Sequence, residues 1–372
     1  MGDTAGRDGE AGALRSGLSG GLYMVVADRA RVASSLWSDR SVWRDVHLID
    51  RRCIGLGAYL RAIREQSRDK DVVILNGALG FADRYCDILA ALVLKWTRRP
   101  WVVLVDCTWE QRSRALEKRA PWLSWVMPVL SRTMVRLIDH DKVIYCVLSS
   151  SEREEFGDRW NVDASRVVFT PFCHTMYQDD QPLQRGDYVF AGGNSLRDYP
   201  LITKAFRGLG VELRMATSYR EEALPANILC RPLPHNVYME ELRGARHVVV
   251  PLEQSTRSAG QQTYLNAMLL EKLVIVNDVR GVRDYIDDGE TGLIVDSTPQ
   301  GFADAVRWAE APENEAAVDR IRTRAAKVAG TRSSLEGYLS HLLAISRHLM
   351  ASGTHGLRKL DGFVEGVHGA PD

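Results

Sequence analysis

Short runs of branched apolar residues alternate with longer helical patterns along nearly the whole chain, and this alternation constrains the fold more than any other feature. In the first half Leu22–Ala27, Val46–Asp50, Val72–Asn76, Trp101–Asp106 and Lys142–Leu148 read as strands, with helical periodicity between them at Ala58–Gln66 and Phe81–Trp96. The second half repeats the scheme, with strands at Asp187–Ala191, Val211–Ala216, Asn227–Cys230, His247–Leu252 and Leu273–Asn277. Its helices fall near Leu201–Leu209, Asn236–Ala245 and Gln262–Leu270. Strands that are apolar on both faces need cover on both faces, and an intervening helix lets successive strands run parallel. Two such sets of roughly 150 residues predict an α/β protein of two doubly wound, Rossmann-like domains facing across a cleft.

The segment Thr170–Gly186, with Pro171, Pro182 and the acidic pair Asp179–Asp180, has the composition of a connection between two cores. The reading divides the 372 residues into a disordered leader (1–20), an amino-terminal domain (21–172), a linker (173–186) and a carboxy-terminal domain (187–330). A carboxy-terminal helix (331–352) that packs back on the first domain and a flexible tail (353–372) complete it.

Lys and Arg number 48 and Asp and Glu also 48, so no chain-wide field draws the protein to nucleic acid. The six cysteines show no CxxC pair and read as reduced, buried thiols of a cytoplasmic protein. The leader has no apolar core of a secretory signal. The longest apolar run, Trp122–Ile138, is broken by Pro128, Arg132 and Arg136 and is too charged to span a bilayer. Arg112, Arg114, Lys118 and Arg119 flank it, with Trp109, Trp122 and Trp125 nearby. The stretch 112–138 therefore reads either as a helix packed on its own sheet or as one lying in the inner face of the membrane, apolar side down and basic side out.

Several motifs lack the context their chemistry needs. Gly17-Leu18-Ser19-Gly20-Gly21 spells a nucleophile elbow but precedes the first strand, and Gly55-Leu56-Gly57 lacks the third glycine of a dinucleotide turn. The histidines show no metal-ligand spacing, and neither a metal nor a cofactor is expected.

Two segments do have that context. In Tyr188–Pro200 an apolar strand runs into Gly192 and Gly193, then Asn194, Arg197 and a helix start at Pro200. Glycines there permit close backbone approach, and the helix start with Arg197 favours a phosphate; a plain strand-to-helix turn with Arg197 paired to Asp198 fits equally. In the second segment the strand ends at Pro251-Leu252, and a small polar loop, Ser258-Ala259-Gly260, opens the helix Gln261-Gln262-Thr263-Tyr264-Leu265-Asn266. Ligands of open α/β sheets sit at such carboxyl ends.

Ser258–Ile275 followed by Gly281–Val295, with its Asp288-Gly289-Glu290-Thr291-Gly292-Leu293 turn, resembles the donor-binding domain of the GT-B glycosyltransferases, in particular the retaining family 4 type. The resemblance extends over about 187–300 and is architectural alone over about 20–175. It implies transfer of a sugar from a nucleotide-diphosphate sugar to the hydroxyl of a polysaccharide, glycolipid or small-molecule acceptor, with retention and without a metal. It places Gly192 and Gly193 at the donor diphosphate, Arg197 near the diphosphate cation, and Gly260, Gln261 and Gln262 on sugar and phosphates, with Thr263 just behind. Asn266 falls where a glutamate holds the ribose, and Arg231–Pro234, through Pro234, where main chain meets the nucleobase. The family's paired glutamates are here Ser258 and Asn266, and its amino-domain histidine is Asp106. On the acceptor side the resemblance points to Asp106, Trp109, Glu110 and Asn76, with Asp106 either orienting or deprotonating the hydroxyl or capping the next helix. The loss of both glutamates motivates an alternative, a non-catalytic GT-B protein that binds a sugar nucleotide or a partner glycosyltransferase. Nucleotide-sugar epimerisation would need acid and base carboxylates that the sequence does not display. Arg283 and Asp284 are expected to pair near the domain seam, and His174 to be a linker residue.

Overall fold

The computed structural model describes residues 32–34, 46–48, 55–77, 86–97, 100–110, 126–176 and 185–364. The predicted strand Leu22–Ala27, the leader, the 17–21 motif, the basic segment 112–125 and the end of the tail lie outside them.

The first sheet is wholly parallel, in the order β2-β1-β3-β4-β5-β6. Its strands are β1 (Val32–Ser34), β2 (Val46–Leu48), β3 (Val72–Asn76), β4 (Trp101–Val105), β5 (Val143–Val147) and β6 (Val167–Phe169). Helices α1 (Leu56–Gln66), α2 (Cys86–Lys95), α3 (Met127–Ile138) and α4 (Ser150–Trp160) connect them. The side chains alternate between two cores, as the period of two demands. Val73, Leu75, Val102, Leu104, Val143 and Tyr145 face α1, α2 and α4, whereas Val72, Ile74, Val103, Val105, Ile144 and Cys146 face the other way. What covers that second face is the carboxy-terminal helix α10 (Leu335–Ser352, numbered after the helices named next), through Tyr338, Leu339, Leu342, Ile345 and Leu349.

The second sheet is parallel too, in the order β12-β11-β10-β7-β8-β9. It contains β7 (Tyr188–Gly192), β8 (Glu212–Ala216), β9 (Ile228–Arg231), β10 (His247–Val250), β11 (Leu273–Asn277) and β12 (Leu293–Val295). Helices α6 (His235–Gly244), α7 (Gln261–Leu269) and α9 (Glu315–Arg332) cover one face, and α5 (Tyr199–Phe206) and α8 (Pro299–Glu310) the other. The strand order reverses between β7 and β10, which makes the crevice beyond Gly192 and Val250 the natural ligand position of this sheet.

Three short strands, β1, β6 and β12, are absent from the sequence reading, because three residues are too few to display a period. A second difference concerns the connection between the domains. Its composition reads as a solvated linker, but Thr170–His174 is buried. Phe172 packs into the core of the second domain, its N–H donates to the Tyr285 hydroxyl at 2.9 Å, and the His174 N–H donates to the Ser333 carbonyl at 2.9 Å. A chain with these backbone bonds satisfied inside protein does not need water.

Candidate active site

The loops after β7 and β10 are tied together at the strand-order reversal. Arg197 and Leu252 form an antiparallel bridge, the Asp198 N–H donates to the Pro251 carbonyl at 3.0 Å, and the Glu253 N–H donates to that of Leu196 at 3.0 Å. Asp198 then caps α5 by accepting the Leu201 N–H at 3.0 Å, so it does not pair with Arg197.

Gly192 is needed here for packing. A Cβ on it would lie 2.5 Å from Cε2 of Tyr238, so its open face is filled by an α6 side chain and is not free for a diphosphate. Gly193 has φ +101°, a backbone region that favours glycine, and Arg197 folds back over it. The Gly193 N–H is engaged with the Ala216 carbonyl at 3.3 Å. Asn194 accepts from the Thr217 hydroxyl at 2.7 Å and the Ser218 N–H at 3.0 Å, which joins the β7 loop to the β8 loop.

Arg197 is held on three sides. Nε donates to the Gly192 carbonyl at 3.1 Å, Nη1 to the Ser195 carbonyl at 2.6 Å and Nη2 to Thr263 Oγ1 at 3.0 Å. Burial pulls its pKa below the ordinary arginine value, opposed by the surrounding phenols of Tyr199, Tyr238 and Tyr264. The bond to Thr263 brings this guanidinium to the first turn of α7. That helix starts after Gly260 (φ +91°), and no side chain caps it, so its leading amides remain available to an anion.

A second cation stands beside the first, and sequence reasoning missed it. Arg257 donates through Nη2 to Ser195 Oγ at 2.7 Å and through Nη1 to the Ser258 carbonyl at 3.4 Å. Two arginines thus converge on one serine next to an uncapped helix start. The only sequence signal was a lone arginine preceding a small, glycine-containing loop. Arg257 also meets Glu110 of the first domain at 3.4 Å, and the Ser255 hydroxyl donates to the same carboxylate oxygen at 3.1 Å. Glu110, expected on the acceptor side, is therefore part of the seam between the domains.

Several expected site residues are turned elsewhere. Asn266 is buried, and its amide oxygen accepts the Thr175 N–H at 2.8 Å while its nitrogen donates to the Thr175 hydroxyl at 3.0 Å. It fastens the connecting segment to α7 and does not present a free amide to a ribose. Gln262 reaches the same hydroxyl at 3.0 Å. Ser258 is buried and hydrogen-bonded to Gln261 and to Glu152 of the first domain. Pro234 is exposed at the start of α6, past the end of β9.

In the first domain Trp109 is a core residue. It packs in an aromatic group with Tyr145, Phe156 and Trp160, and its indole N–H donates to the Gly77 carbonyl. Asn76 is buried at the end of β3, its N–H donating to Asp87 at 2.9 Å. Neither is presented to an acceptor. The apolar bulk of tryptophan at a strand end is legible, but whether it turns in or out is decided by what packs beneath it.

Asp106 remains. It follows β4 with φ +57°, caps no helix among the described residues, and lies 3.4 Å from the Tyr338 hydroxyl of α10. Burial pushes its carboxyl up to about 6, moderated by the Tyr338 hydrogen bond. A carboxylate with that pKa at a strand carboxyl end is suited to take a proton near neutrality.

The seam itself is lined by the start of α4. The Ser150 N–H donates to Asp284 at 2.9 Å, and Arg283 pairs with Asp278 at 2.7 Å, so the expected Arg283–Asp284 pair is replaced by two separate contacts. A cleft of about 420 Å³ opens there between Ser150, Ser151, Gln254, Arg280 and Gly281. Another cavity, of about 450 Å³, opens at the opposite end of β7 around Arg185 and Glu240, with Arg214 over the Tyr188 ring. It is far from both sets of strand carboxyl ends.

The profile of the family described as glycosyl transferases group 1 matches residues 212–310. Solved structures with the same arrangement include a glycosyltransferase from Rickettsia africae, 12% identical, with a TM-score of 0.56 over 80% of this chain and 82% of that one. A sucrose-phosphate synthase from Thermosynechococcus elongatus is 13% identical, with a TM-score of 0.56 over 82% and 84%. HepE from Anabaena, in complex with UDP, is 12% identical, with a TM-score of 0.55 over 77% and 80%. No curated protein sequence matches the chain. At such identities a structural likeness establishes the fold, and the family profile adds the second domain. The chain has the GT-B fold of these glycosyltransferases, and its residues 212–310 match the profile of the glycosyl transferases group 1.

Proposed function

We propose that the chain transfers a sugar from a nucleoside-diphosphate sugar to an acceptor hydroxyl, with retention at the anomeric carbon and without a metal. The observation that carries this reading is the convergence of Arg197 and Arg257 on Ser195 beside the uncapped start of α7. Departure of a nucleoside diphosphate is limited by the negative charge that develops on it. Fixed cations and a helix N-terminus stabilise that charge without reorganising. Asp106 is the acceptor-side group, as base or orienting carboxylate toward the incoming hydroxyl. UDP and UDP-sugars are the first probes, since HepE is described in complex with UDP.

The test is a thermal-shift panel of nucleoside-diphosphate sugars. Product analysis with the binding donor follows, with NMR of the anomeric proton and with chelator added. Stabilisation by one donor class and a chelator-resistant, retained product are expected; no stabilisation by any nucleoside diphosphate would end this reading. The engagement of Ser258 and Asn266 within the protein favours one second reading, a non-catalytic sugar-nucleotide binder, which predicts stabilisation with neither transfer nor hydrolysis.

A lipid-borne acceptor at the inner face of the membrane is supported by the surface of the first domain. No helix among the described residues is long and apolar enough to cross a membrane. On α3, however, Val129, Leu130 and Leu137 are exposed beside the exposed Arg132 and Arg136, and the helix carries no acid. Lys95 at the end of α2 donates to the carbonyls of Arg136 (3.3 Å) and Leu137 (2.9 Å), and Trp96, the next residue, is 86% exposed. Apolar side chains interleaved with arginines and a tryptophan suit an anionic bilayer surface. Co-sedimentation with vesicles containing phosphatidylglycerol is expected to fall at least tenfold in Leu130→Asp/Leu137→Asp, since each leucine contributes about 1.5–3 kcal/mol when buried. Equal sedimentation of both proteins would remove the membrane from the proposal.

A further inference from the structure

Glu152 is a carboxylate in an unfavourable place. It lies in the first turn of α4, 3% exposed, and no ion pair reaches it among the described residues. Burying an ionised carboxylate costs several kcal/mol unless hydrogen bonds replace its water. Here they do, and they come from both domains. Glu152 Oε2 accepts the Ser149 hydroxyl at 2.8 Å and, across the seam, the Ser258 hydroxyl at 2.7 Å. Burial still raises its pKa, with the bonds from Ser258 and Ser149 opposing.

Ser149-Ser150-Ser151-Glu152 spells a capping box, and half of it is present: Ser149 accepts the Glu152 N–H at 3.2 Å. The glutamate side chain takes the hydroxyl of that same N-cap serine and also that of Ser258 in the other domain. Because Ser258 donates its hydroxyl hydrogen to Glu152, its oxygen is left to accept from Gln261 Nε2, at 2.7 Å. Gln261 is the first residue of α7, and the Ser258 carbonyl accepts Arg257. A single chain of hydrogen bonds therefore runs from the first domain to the helix start and the arginine that form the donor face of the second.

The space around Ser258 is closed. A Cβ on Gly281 (φ +82°) would lie 2.6 Å from Ser258 Cβ and 2.8 Å from Ser149 Cβ, so the two serines approach each other around a bare backbone. Ser258 lies between the Glu152 carboxylate and the bare backbone of Gly281. The carboxylate that position 258 lacks is thus delivered from α4.

We infer that Glu152 is a positioning residue for the donor face, acting through Ser258 and Gln261, so that the loop 257–261 takes its binding geometry only when α4 is docked against it. The inference rests on the proposed donor site for its functional consequence but not for its structural one. Hydrogen–deuterium exchange of the full chain separates the two. Glu152→Ala and Ser258→Ala are each expected to raise exchange at least tenfold in peptides covering 257–264, and the double variant to raise it no further, because both remove the same link. Ser258→Ala leaves Glu152 in place and serves if Glu152→Ala does not fold.

The second readout is calorimetric titration with UDP, in which each single variant is expected to weaken affinity at least tenfold. Glu152→Ser/Ser258→Glu, which moves the carboxylate to the other side of the seam, is expected to recover most of it. A general loss of packing would not be rescued by that exchange. Unchanged exchange over 257–264 in both single variants, or additive effects in the double, overturns the inference. If wild-type protein binds no UDP or other nucleoside diphosphate, the proposed function fails, and the exchange data still decide the role of Glu152.

Discussion

Asp106→Asn is expected to cost at least two orders of magnitude in the rate of sugar transfer while making the protein more stable above pH 6. The two effects have one cause. Burial at the end of β4 holds the carboxyl at about 6, against 3.8 ordinarily, so the folded protein binds this proton more tightly than the unfolded chain. Stability from this group is therefore fully present below about pH 4 and is lost as the pH rises toward 6. Above that, the ionised form costs on the order of 3 kcal/mol by the size of the shift. The groups facing it do not offset this cost: Tyr338 offers one hydrogen bond at 3.4 Å, and Cys107, Cys146 and Cys173 are thiols held neutral by burial. Asparagine removes the charge, is nearly isosteric and tolerates the positive φ at this position. Melting temperatures of the two proteins should coincide near pH 4 and diverge in favour of asparagine by pH 8. The wild-type transfer rate should rise through about pH 6 as the carboxylate ionises, and loss of a positioned base should lower it by about 10²–10⁴. A variant no more stable than wild type at pH 8 would show that Asp106 is not buried as a charge. Unchanged transfer would remove it from the reaction.

Arg197→Ala is expected to weaken nucleoside-diphosphate binding at least tenfold, and Arg197→Lys to recover little of the loss. Charge-assisted contacts to phosphate are strong. The guanidinium, though, is also a brace, since Nε and Nη1 hold the carbonyls of Gly192 and Ser195. Lysine keeps the charge and loses the planar fork that makes those two bonds together with the one to Thr263. The buried Gly192 carbonyl left without its donor costs about 1–3 kcal/mol, so both variants should also melt earlier. Titration with UDP alongside thermal melts distinguishes the roles. Full recovery of affinity in the lysine variant would mean that charge alone matters. Wild-type affinity in the alanine variant would place the diphosphate elsewhere.

The legible part of this protein is what periodicity carries. Runs such as Leu273–Asn277 and Val72–Asn76 coincide with observed strands, because a strand covered on both faces writes an unbroken apolar run into the sequence. The turn after β7 and the small loop before α7 were legible for a similar reason: Gly193 and Gly260 occupy backbone conformations that only glycine adopts easily. The resemblance drawn from 258–295 led to the same second domain that the group 1 profile marks at 212–310.

The illegible part is direction and partnership across the fold. Trp109 and Asn76 stand at strand carboxyl ends as expected, yet one is turned into an aromatic core and the other is buried beside Asp87, because helices α2 and α4 lie beneath them. Ser258 and Asn266 read as gaps in a family pattern. In the structure each has a partner, Glu152 at a separation of 106 residues and Thr175 at 91.

The sequence by itself determined two parallel sheets, their strand ends and the glycine turns after β7 and before α7, since each follows from local periodicity or a local backbone requirement. Only the tertiary structure decided which side chains meet at those ends. Arg257 beside Arg197, Glu152 against Ser258 and Asp106 under Tyr338 depend on how α4, α7 and α10 pack over the sheets. Packing joins residues that are distant in the chain, and no periodicity records it.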